Sequence, residues 1–342
     1  MKICVLGAGT WGTALARLLV LNGHEVVLWS KIPEELDSIE TTRRHPNLPE
    51  MEIPSGLQYA SDAQVAVSDA DMVLFAVPSI YVRATAEEFA PFIPEDAILI
   101  DVAKGIESAT LLSLSDVILD VLRQRRPKMT WSIVALSGPT HAEEVARDLP
   151  STIVSASVDR HAAEAVRDAF RNDHFRVYTN EDIRGVELCG AMKNIVALAA
   201  GISDGLGFGD NAKAALMTRG MAEIQRLGLA LGCQPETFAG LAGFGDLIVT
   251  ATSVHSRNHR CGVYIGEGLS VADAIARVGQ VVEGMNALPA AKALAAKTGV
   301  EMPIVDAVDA VLQGQDVRET VIQLMQREPK HEGQRFRRDV MK

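Results

Sequence analysis

The sequence predicts an α/β fold in which a doubly wound, mainly parallel sheet is followed by an all-α second domain. Short apolar strands alternate with helical stretches up to about residue 182, as is typical of a parallel sheet covered on both faces. Beyond that point the apolar positions recur with helical spacing only. A glycine-rich turn also joins the first strand to the first helix. We therefore expect one domain over residues 1–183 and a second over residues 184–342.

The composition is that of an ordinary globular protein. A chain of 342 residues that is 48% hydrophobic and 23% charged is long enough for two sizeable cores. Its net charge of −11 argues against a broad nucleic-acid-binding surface. We expect no stable membrane insertion, because no apolar run reaches transmembrane length. The first strand begins at Lys2, without room for a signal peptide, and the four cysteines are scattered. Both features predict a cytoplasmic protein with reduced, packed thiols.

The first strand, Lys2–Leu6, runs into the turn Gly7-Ala8-Gly9-Thr10-Trp11-Gly12, and residues 13–21 have helical periodicity. This is the GxGxxG pattern in its required context of strand, tight turn and helix. Gly7 permits the turn, Gly9 lets a pyrophosphate approach the backbone, and Gly12 allows close packing of helix on strand. The pattern predicts a Rossmann-like dinucleotide-binding domain. The alternative is a glycine-rich turn without a ligand.

The end of the second strand, Glu25–Trp29, bears on the choice of cofactor. An enzyme that selects NAD usually carries an acid here to bind the ribose hydroxyls, whereas this chain has Ser30 and Lys31. A hydroxyl followed by a cation suits a 2′-phosphate. We therefore predict that NADP(H) is preferred and that NAD(H) is also accepted. The alternative is that Lys31 is a solvated loop lysine.

Further strands are predicted at residues 72–77, 97–102, 132–136, 152–156 and 175–179. Ligands of such sheets bind at the carboxyl ends of the strands. Lys104 follows one of these strands, and Gly138 and Thr140 follow another. We expect the three residues to meet at one rim of the sheet.

Helices are predicted at residues 186–200, 211–231, 235–241, 257–266, 271–278, 288–298, 303–313 and 317–325. The first of them is apolar nearly all round and carries a single charge, Lys193. Burying an ammonium without a partner is costly, so Lys193 is either paired in a structural role or chemically active. No linker separates the halves of the chain, which places this helix directly on the sheet domain and Lys193 at a cleft between domains.

Three stretches of the helical half contain candidate site residues. Residues 201–213 and 241–250 read as glycine-rich segments, and the second of them contains Asp246, the expected partner of Lys193 or of a substrate hydroxyl. Ser256, Arg257 and Asn258 then open a helix. A hydroxyl, a guanidinium and free N–H groups are a good combination for binding a phosphate.

Two histidines in this region, His255 and His259, lie four residues apart. That spacing can ligate a metal, but no carboxylate accompanies them as in HExxH, and two ligands rarely make a site. We predict no metal.

The assembled sequence resembles the bacterial type of the NAD(P)-dependent glycerol-3-phosphate dehydrogenase family over nearly its whole length. The matching segments are GAGTWGTALA, NGHEVVLW, VAKGIE, SGPTHAEEVA, FRVYTNEDIRGVEL, GAMKNIVALAAGISDGLGFGDNAKAAL, TRGMAEI, GLAGFGDL, SRNHR and GQVVEG. Several long motifs in the right order are far more specific than any one of them.

The resemblance implies roles for individual residues. Cofactor contacts are implied for Gly7, Gly9, Thr10, Trp11, Gly12, Lys31, Lys104, Ala142, Arg257, Val281 and Glu283. Substrate contacts are implied for Lys104, Gly138, Thr140, Lys193, Asp246, Ser256, Arg257 and Asn258. Lys193 would be the acid/base residue, with Lys104 and Asp246 as the other catalytic groups.

The implied reaction is the reduction of dihydroxyacetone phosphate to sn-glycerol 3-phosphate, a step that supplies the glycerophospholipid backbone. One alternative is a 3-hydroxyacid dehydrogenase, which also joins a Rossmann domain to a helical domain with an essential lysine. A second is a non-catalytic NADPH-sensing protein. The apolar second domain could support a homodimer, and the arginine-rich residues 330–342 read as a solvated tail.

Overall fold

The computed structural model describes residues 1–328, so the predicted tail lies outside the described residues. Eight strands form one sheet. They are β1 (Lys2–Leu6), β2 (Glu25–Trp29), β3 (Leu57–Ala60), β4 (Met72–Phe75), β5 (Ile98–Asp101), β6 (Ile133–Ser137), β7 (Ser151–Ala156) and β8 (Phe175–Asn180). Their spatial order is β3-β2-β1-β4-β5-β6-β7-β8. The doubly wound arrangement predicted from the sequence is confirmed.

All neighbouring strands from β3 to β6 are parallel, whereas β7 is antiparallel to β6 and β8 is parallel to β7. The last two strands therefore run against the other six. Strand β3 is absent from the prediction, since it is short and only partly buried. The predicted strand 72–77 is too long, because β4 ends at Phe75. The residues that follow turn into the cleft.

Helices cover both faces of the sheet and make two apolar layers. Those of the sheet domain are α1 (Thr10–Leu21), α2 (Pro33–Thr42), α3 (Ala63–Val67), α4 (Val82–Phe89), α5 (Leu114–Arg125), α6 (Ala142–Val145) and α7 (Arg160–Phe170). The face that holds α5 also receives the first helix of the second domain, which contacts β6. The cores of the two halves of the chain thus adjoin without an intervening linker.

From Ile183 onwards the described residues form helices joined by short connections, with no further strand. The helices are α8 (Ile183–Gly205), α9 (Gly209–Ala230), α10 (Pro235–Ala239), α11 (Asp246–Thr252), α12 (Arg257–Gly266), α13 (Val271–Val278), α14 (Glu283–Thr298), α15 (Pro303–Leu312) and α16 (Val317–Met325). The prediction of an all-α second half is confirmed.

Three details of that prediction are wrong. Residues 201–213 are mostly helical, since α8 continues to Gly205 and α9 begins at Gly209. Residues 241–250 form a π-helical turn over Leu241–Gly245 that leads into α11. Helix α14 begins at Glu283, five residues before the predicted 288, with Pro289 inside it. In each case glycine or proline suggested an interruption that tertiary packing overrides.

Helix α8 is the axis of the second domain, and all but a few residues at its ends are buried. It is 23 residues long with a mean hydropathy of 1.4, enough by length and composition to cross a membrane. The expectation that no apolar run reaches that length is therefore wrong for this helix. The most apolar part of the helix is wholly buried inside the fold, as in the core helix of a globular domain.

The closest helix pair, α8 and α12, cross through glycines. A Cβ on Gly201 would lie 2.0 Å from the carbonyl oxygen of His259, and one on Gly262 would lie 2.2 Å from that of Leu198. Real side chains do not tolerate such distances, so the backbones approach closely because these positions have no side chain. The crossing fixes the start of α12 relative to Lys193.

Candidate active site

Lys193 lies in the middle of α8 and is only 4% exposed. Its ammonium forms a close ion pair with Oδ1 of Asp246 and donates a hydrogen bond of 2.6 Å to Oγ1 of Thr250. Asp246 and Thr250 lie one turn apart on α11, and the Thr250 hydroxyl also contacts the Asp246 carbonyl oxygen at 2.6 Å. The buried lysine thus has the partner that its burial demands.

The same carboxylate holds a second lysine. Nζ of Lys104 lies 2.7 Å from Oδ2 of Asp246 and 3.3 Å from the carbonyl oxygen of Gly138. Asp246 is 0% exposed, whereas the side chain of Lys104 is 19% exposed and reaches the cleft. Two ammonium groups therefore share one carboxylate. The cluster has a net positive charge, which favours an anionic ligand or a developing oxyanion.

Burial lowers the pKa of Lys193 below its ordinary value of 10.5. The negative charge of Asp246 acts in the opposite direction, and the positive charge of Lys104 lowers the pKa further. A lysine brought down from its ordinary range can both give and accept a proton near neutral pH. This is the property required of an acid/base group.

Ser256, Arg257 and Asn258 open α12 next to this cluster, but two of them already have structural bonds. The hydroxyl oxygen of Ser256 caps the helix by accepting from the backbone N–H of His259 at 3.2 Å. The Asn258 amide donates to Oδ1 of Asn194 at 2.9 Å, and its oxygen accepts from the backbone N–H of Gly284 at 2.8 Å. Arg257 is exposed.

The end of β6 supplies the other wall of the cleft. The carbonyl oxygen of Gly138 accepts from Lys104, and the Thr140 hydroxyl lies 3.3 Å from the same oxygen. A Cβ on Gly138 would meet Cα of Ile153 at 3.0 Å. Ala142 starts the short helix α6 and packs against the sheet core. The structure thus brings Lys104, Gly138 and Thr140 to one rim.

The glycine-rich turn has the geometry of a phosphate-binding loop. Gly7 has a φ of +122°, and a Cβ on Gly12 would lie 2.1 Å from the carbonyl oxygen of Gly7. Gly9 is different, because it has an ordinary φ of −67° and a Cβ there would meet no protein atom within 4 Å. Among the described glycines, this combination occurs at Gly9 alone. The space in front of Gly9 suits a pyrophosphate at the start of α1.

Next to this turn, Thr10 and Trp11 form the first residues of α1. The Asn47 amide lies 3.4 Å from the hydroxyl of Thr10, and Trp11 is half-buried against the sheet core. Both side chains are therefore at the mouth of the turn.

The end of β2 shows both predicted polar residues in contact with acids. Lys31 is exposed and lies 2.7 Å from Oε1 of Glu88. Ser30 is buried and donates a hydrogen bond of 2.7 Å to Glu35. An ion pair at so exposed a site is weak, so Lys31 can exchange Glu88 for a phosphate at little cost.

Glu283 links the two domains close to the turn that carries Lys104. Its carboxylate accepts hydrogen bonds from the backbone N–H of Ser79 at 3.1 Å and from the Ser79 hydroxyl at 2.5 Å. Ser79 follows β4, whereas Glu283 is the first residue of α14. Val281 lies just before that helix and is partly exposed.

Several residues that contact the site residues were not among the predicted ones. Thr250 and Asn194 contact Lys193 and Asn258 respectively, and Ser79 contacts Glu283. Thr250 could have been found from its spacing, because positions four apart share one face of a helix and Asp246 was already a candidate. The contacts of Asn194 and Ser79 are long-range and leave no local signal.

His255 and His259, the two histidines four residues apart, contact different partners. His259 contacts Oδ2 of Asp204 at 2.7 Å, and the same carboxylate oxygen binds Lys213. The ring of His255 lies 5.8 Å from that of His141. Within residues 1–328, no group of three or more histidine, cysteine or acidic side chains is arranged to hold a metal ion.

A glycine-rich turn with the geometry of a phosphate-binding loop, in a Rossmann sheet domain that is followed by a helical domain with a buried lysine, is typical of a nicotinamide-dependent dehydrogenase. Comparison with known proteins specifies which kind. The N-terminal model of the NAD-dependent glycerol-3-phosphate dehydrogenases matches residues 2–163, and the C-terminal model matches residues 182–323. The chain belongs to this family.

Individual relatives support the same family assignment. The chain is 58% identical over 332 residues to glycerol-3-phosphate dehydrogenase [NAD(P)+] 2 of Lactobacillus delbrueckii subsp. bulgaricus, covering 97% of this chain and 98% of the relative. It is 48% identical to the Bacillus subtilis enzyme, with 97% and 96% covered. Among solved structures, glycerol-3-phosphate dehydrogenase of Coxiella burnetii superposes with a TM-score of 0.90 at 36% identity, covering 95% of this chain and 99% of that one. The protein is thus an NAD(P)-dependent oxidoreductase, and neither alternative class is favoured.

The open space at Gly9 leads to the first prediction. Gly9→Ala should weaken NADPH binding roughly tenfold or more, equivalent to about 1.4 kcal/mol, because the methyl group enters the space reserved for the ligand. Fluorescence titration with NADPH measures the affinity. The free energy of unfolding should change by no more than about 1 kcal/mol, because no protein atom is displaced. Unaltered NADPH affinity in a folded variant would contradict the assignment.

Proposed function

We propose that the protein reduces dihydroxyacetone phosphate to sn-glycerol 3-phosphate with NAD(P)H, and that Lys193 is the acid/base residue. The observation that carries this proposal is the carboxylate of Asp246, which is shared by Lys193 and Lys104. One carboxylate compensates only one of the two ammonium groups, so one positive charge remains next to the proton donor Lys193. A carbonyl that is reduced to an alkoxide requires a positive charge to stabilise its oxygen and a proton to neutralise it.

The nicotinamide cofactor supplies the hydride when it is bound. The protein has to hold the substrate carbonyl oxygen near two ammonium groups. Lys193 is suited to give the proton, because its lowered pKa makes transfer to an alkoxide favourable. Lys104 stabilises the same oxygen through its charge, and Asp246 keeps both lysines in place. In the direction of glycerol 3-phosphate oxidation, neutral Lys193 accepts the proton.

The phosphate of the substrate is assigned to Ser256, Arg257 and Asn258, with Gly138 and Thr140 on the opposite wall. Arg257 is an exposed residue at the start of α12, and a guanidinium there can make a bidentate contact. The Ser256 hydroxyl accepts one bond in its capping role, so its own proton remains free to be donated.

The proposed cofactor contacts run along the carboxyl edge of the sheet. They comprise Gly7, Gly9, Thr10, Trp11, Gly12, Lys31, Lys104, Ala142, Arg257, Val281 and Glu283. Residues 1–183 would bind the cofactor and residues 184–342 would complete the substrate site. A cytoplasmic location is supported by the four cysteines, which are buried and free, as predicted. A homodimer remains a proposal that rests on the apolar second domain.

A turnover assay tests the reaction. The purified protein should oxidise NADPH rapidly with dihydroxyacetone phosphate and far more slowly with unphosphorylated dihydroxyacetone, because only the first can bind Arg257. Absorbance of the reduced nicotinamide follows the reaction. Equal turnover of the two substrates would contradict the phosphate site, and binding of NADPH without turnover of either substrate would favour the sensor interpretation.

Replacing the acid/base group tests the mechanism. Lys193→Ala should lower kcat by roughly 10²–10⁴-fold, the usual contribution of a general acid. NADPH affinity should persist, since the lysine is placed at the substrate. Lys292→Ala is a matched control, because Lys292 pairs with Asp309 on the surface, away from Asp246. The role of Lys193 would be refuted by an unchanged kcat.

The cofactor preference rests on Lys31. We expect kcat/KM to be higher with NADPH than with NADH, and Lys31→Ala to lower the value for NADPH more than that for NADH, because the charge meets only the 2′-phosphate. Steady-state kinetics with both cofactors give the ratio. A clear preference of the parent protein for NADH would show that Lys31 is only a partner of Glu88.

A further inference from the structure

Asp101 is a buried acid that the reaction does not use. It is the last residue of β5 and is 1% exposed. Its neighbours in the sheet are Phe75 on β4 and Ala135 on β6, so its side chain lies in an apolar layer. Oδ1 accepts the backbone N–H of Ala103 at 3.0 Å, and this bond shapes the turn that carries Lys104.

The other oxygen of Asp101 has no donor. Oδ2 is buried and no hydrogen-bond donor among the described residues reaches it. A buried carboxylate without donors is costly. Neither Asp101 nor Glu187 forms an ion pair with a cation in the described chain. An oxygen that cannot accept a hydrogen bond can instead carry a proton.

Besides burial, a second buried carboxyl, Glu187 of α8, raises the pKa of Asp101 through its charge. Both oxygens of Glu187 do have donors, namely the backbone N–H of Ser115 at 2.8 Å and the Ser115 hydroxyl at 2.6 Å. Ser115 is in the first turn of α5, where the helix end favours a negative charge. Of the two carboxyls, Glu187 is therefore the better site for the charge and Asp101 the better site for the proton.

We propose that Asp101 is a neutral carboxylic acid that fixes the turn carrying Lys104 through the hydrogen bond it accepts from Ala103. Asp101 lies three residues before Lys104, so this bond sets the course of the chain just before the lysine. Asp101 is thus a positioning residue, in an inference that rests on the proposed role of Lys104.

Electrostatics supports the neutral form. Burial and the nearby charge of Glu187 both raise the pKa of Asp101 well above its ordinary value of 3.8. Burial raises the pKa of Glu187 to about 7, although its hydrogen bonds from Ser115 act in the opposite direction. An ionised Asp101 would also place a negative charge beside Lys104 and reduce the positive charge that the cluster offers to its substrate. A proton on Asp101 keeps that charge available.

Asp182 provides a matched control, because it is buried to a similar degree but has donors on both oxygens. It accepts the backbone N–H groups of Gly185 at 3.0 Å and Gln234 at 2.9 Å and the Thr237 hydroxyl at 2.7 Å. An amide in its place would meet these donors with its own N–H groups. An amide at Asp101 would instead reproduce the neutral acid, because its oxygen can accept from Ala103 as Oδ1 does.

The experiment compares Asp101→Asn, Asp101→Ala and Asp182→Asn. Asp101→Asn should retain kcat and stability, whereas Asp101→Ala should lower kcat by roughly ten- to a hundredfold through displacement of Lys104. Asp182→Asn should lower stability. Equal losses in Asp101→Asn and Asp101→Ala would overturn the proposal, and so would full activity of Asp101→Ala.

Two further measurements do not depend on turnover, and they separate failure of this inference from failure of the assigned reaction. The infrared spectrum at neutral pH should contain the carbonyl band of a buried protonated carboxyl, lost in Asp101→Asn and kept in Asp182→Asn. Absence of that band from the parent protein would overturn the proposal.

The second measurement is stability as a function of pH. Above pH 3.8 the unfolded Asp101 is ionised whereas the folded one keeps its proton. The stability of the parent relative to Asp101→Asn should therefore decrease as pH rises from that value toward the folded-state pKa. A difference that does not vary with pH would contradict a neutral Asp101.

Discussion

The site depends on one buried carboxylate that has to serve two ammonium groups. Asp246 is fully buried and holds Lys193 with one oxygen and Lys104 with the other. Since the lysines come from different domains, the pair of contacts joins the sheet to the helical half at the place of reaction. A second buried carboxylate would neutralise the cluster and remove its affinity for an oxyanion. The excess of one cation is therefore a structural requirement.

Helix α8 has to be buried and apolar to support this arrangement. Its crossing with α12 leaves no room for side chains at Gly201 and Gly262, and the resulting fixed contact holds the start of α12 near Lys193. A well-packed helix core deforms little. The lysine, the capping serine and the guanidinium of Arg257 consequently belong to one rigid unit, whereas Lys104 and Gly138 belong to the sheet.

Local patterns predicted seven of the eight strands and the helical second half, and they marked several residues of the candidate site. The strand alternation and the GxGxxG turn identify the fold, and the lone charge in an apolar helix identifies Lys193. Contacts between distant segments were not predictable in this way. The sharing of Asp246 by two lysines, the bond from Ser79 to Glu283 and the continuation of α8 through Gly201 all depend on what packs against each residue.

The reversed direction of β7 and β8 determines how far along the sheet each residue of α8 lies. Because β8 runs antiparallel to β1–β6, α8 starts at the amino edge of the main sheet and runs along β6 toward its carboxyl end. Val186 lies near Ala135, and Gly190 lies near Ser137. Lys193, at about 1.5 Å of rise per residue, reaches the carboxyl edge roughly 15 Å from the helix start. One inserted residue between Ile183 and Lys193 would turn the ammonium by about 100° around the helix axis. The length of this segment is therefore as constrained as the identity of the lysine itself.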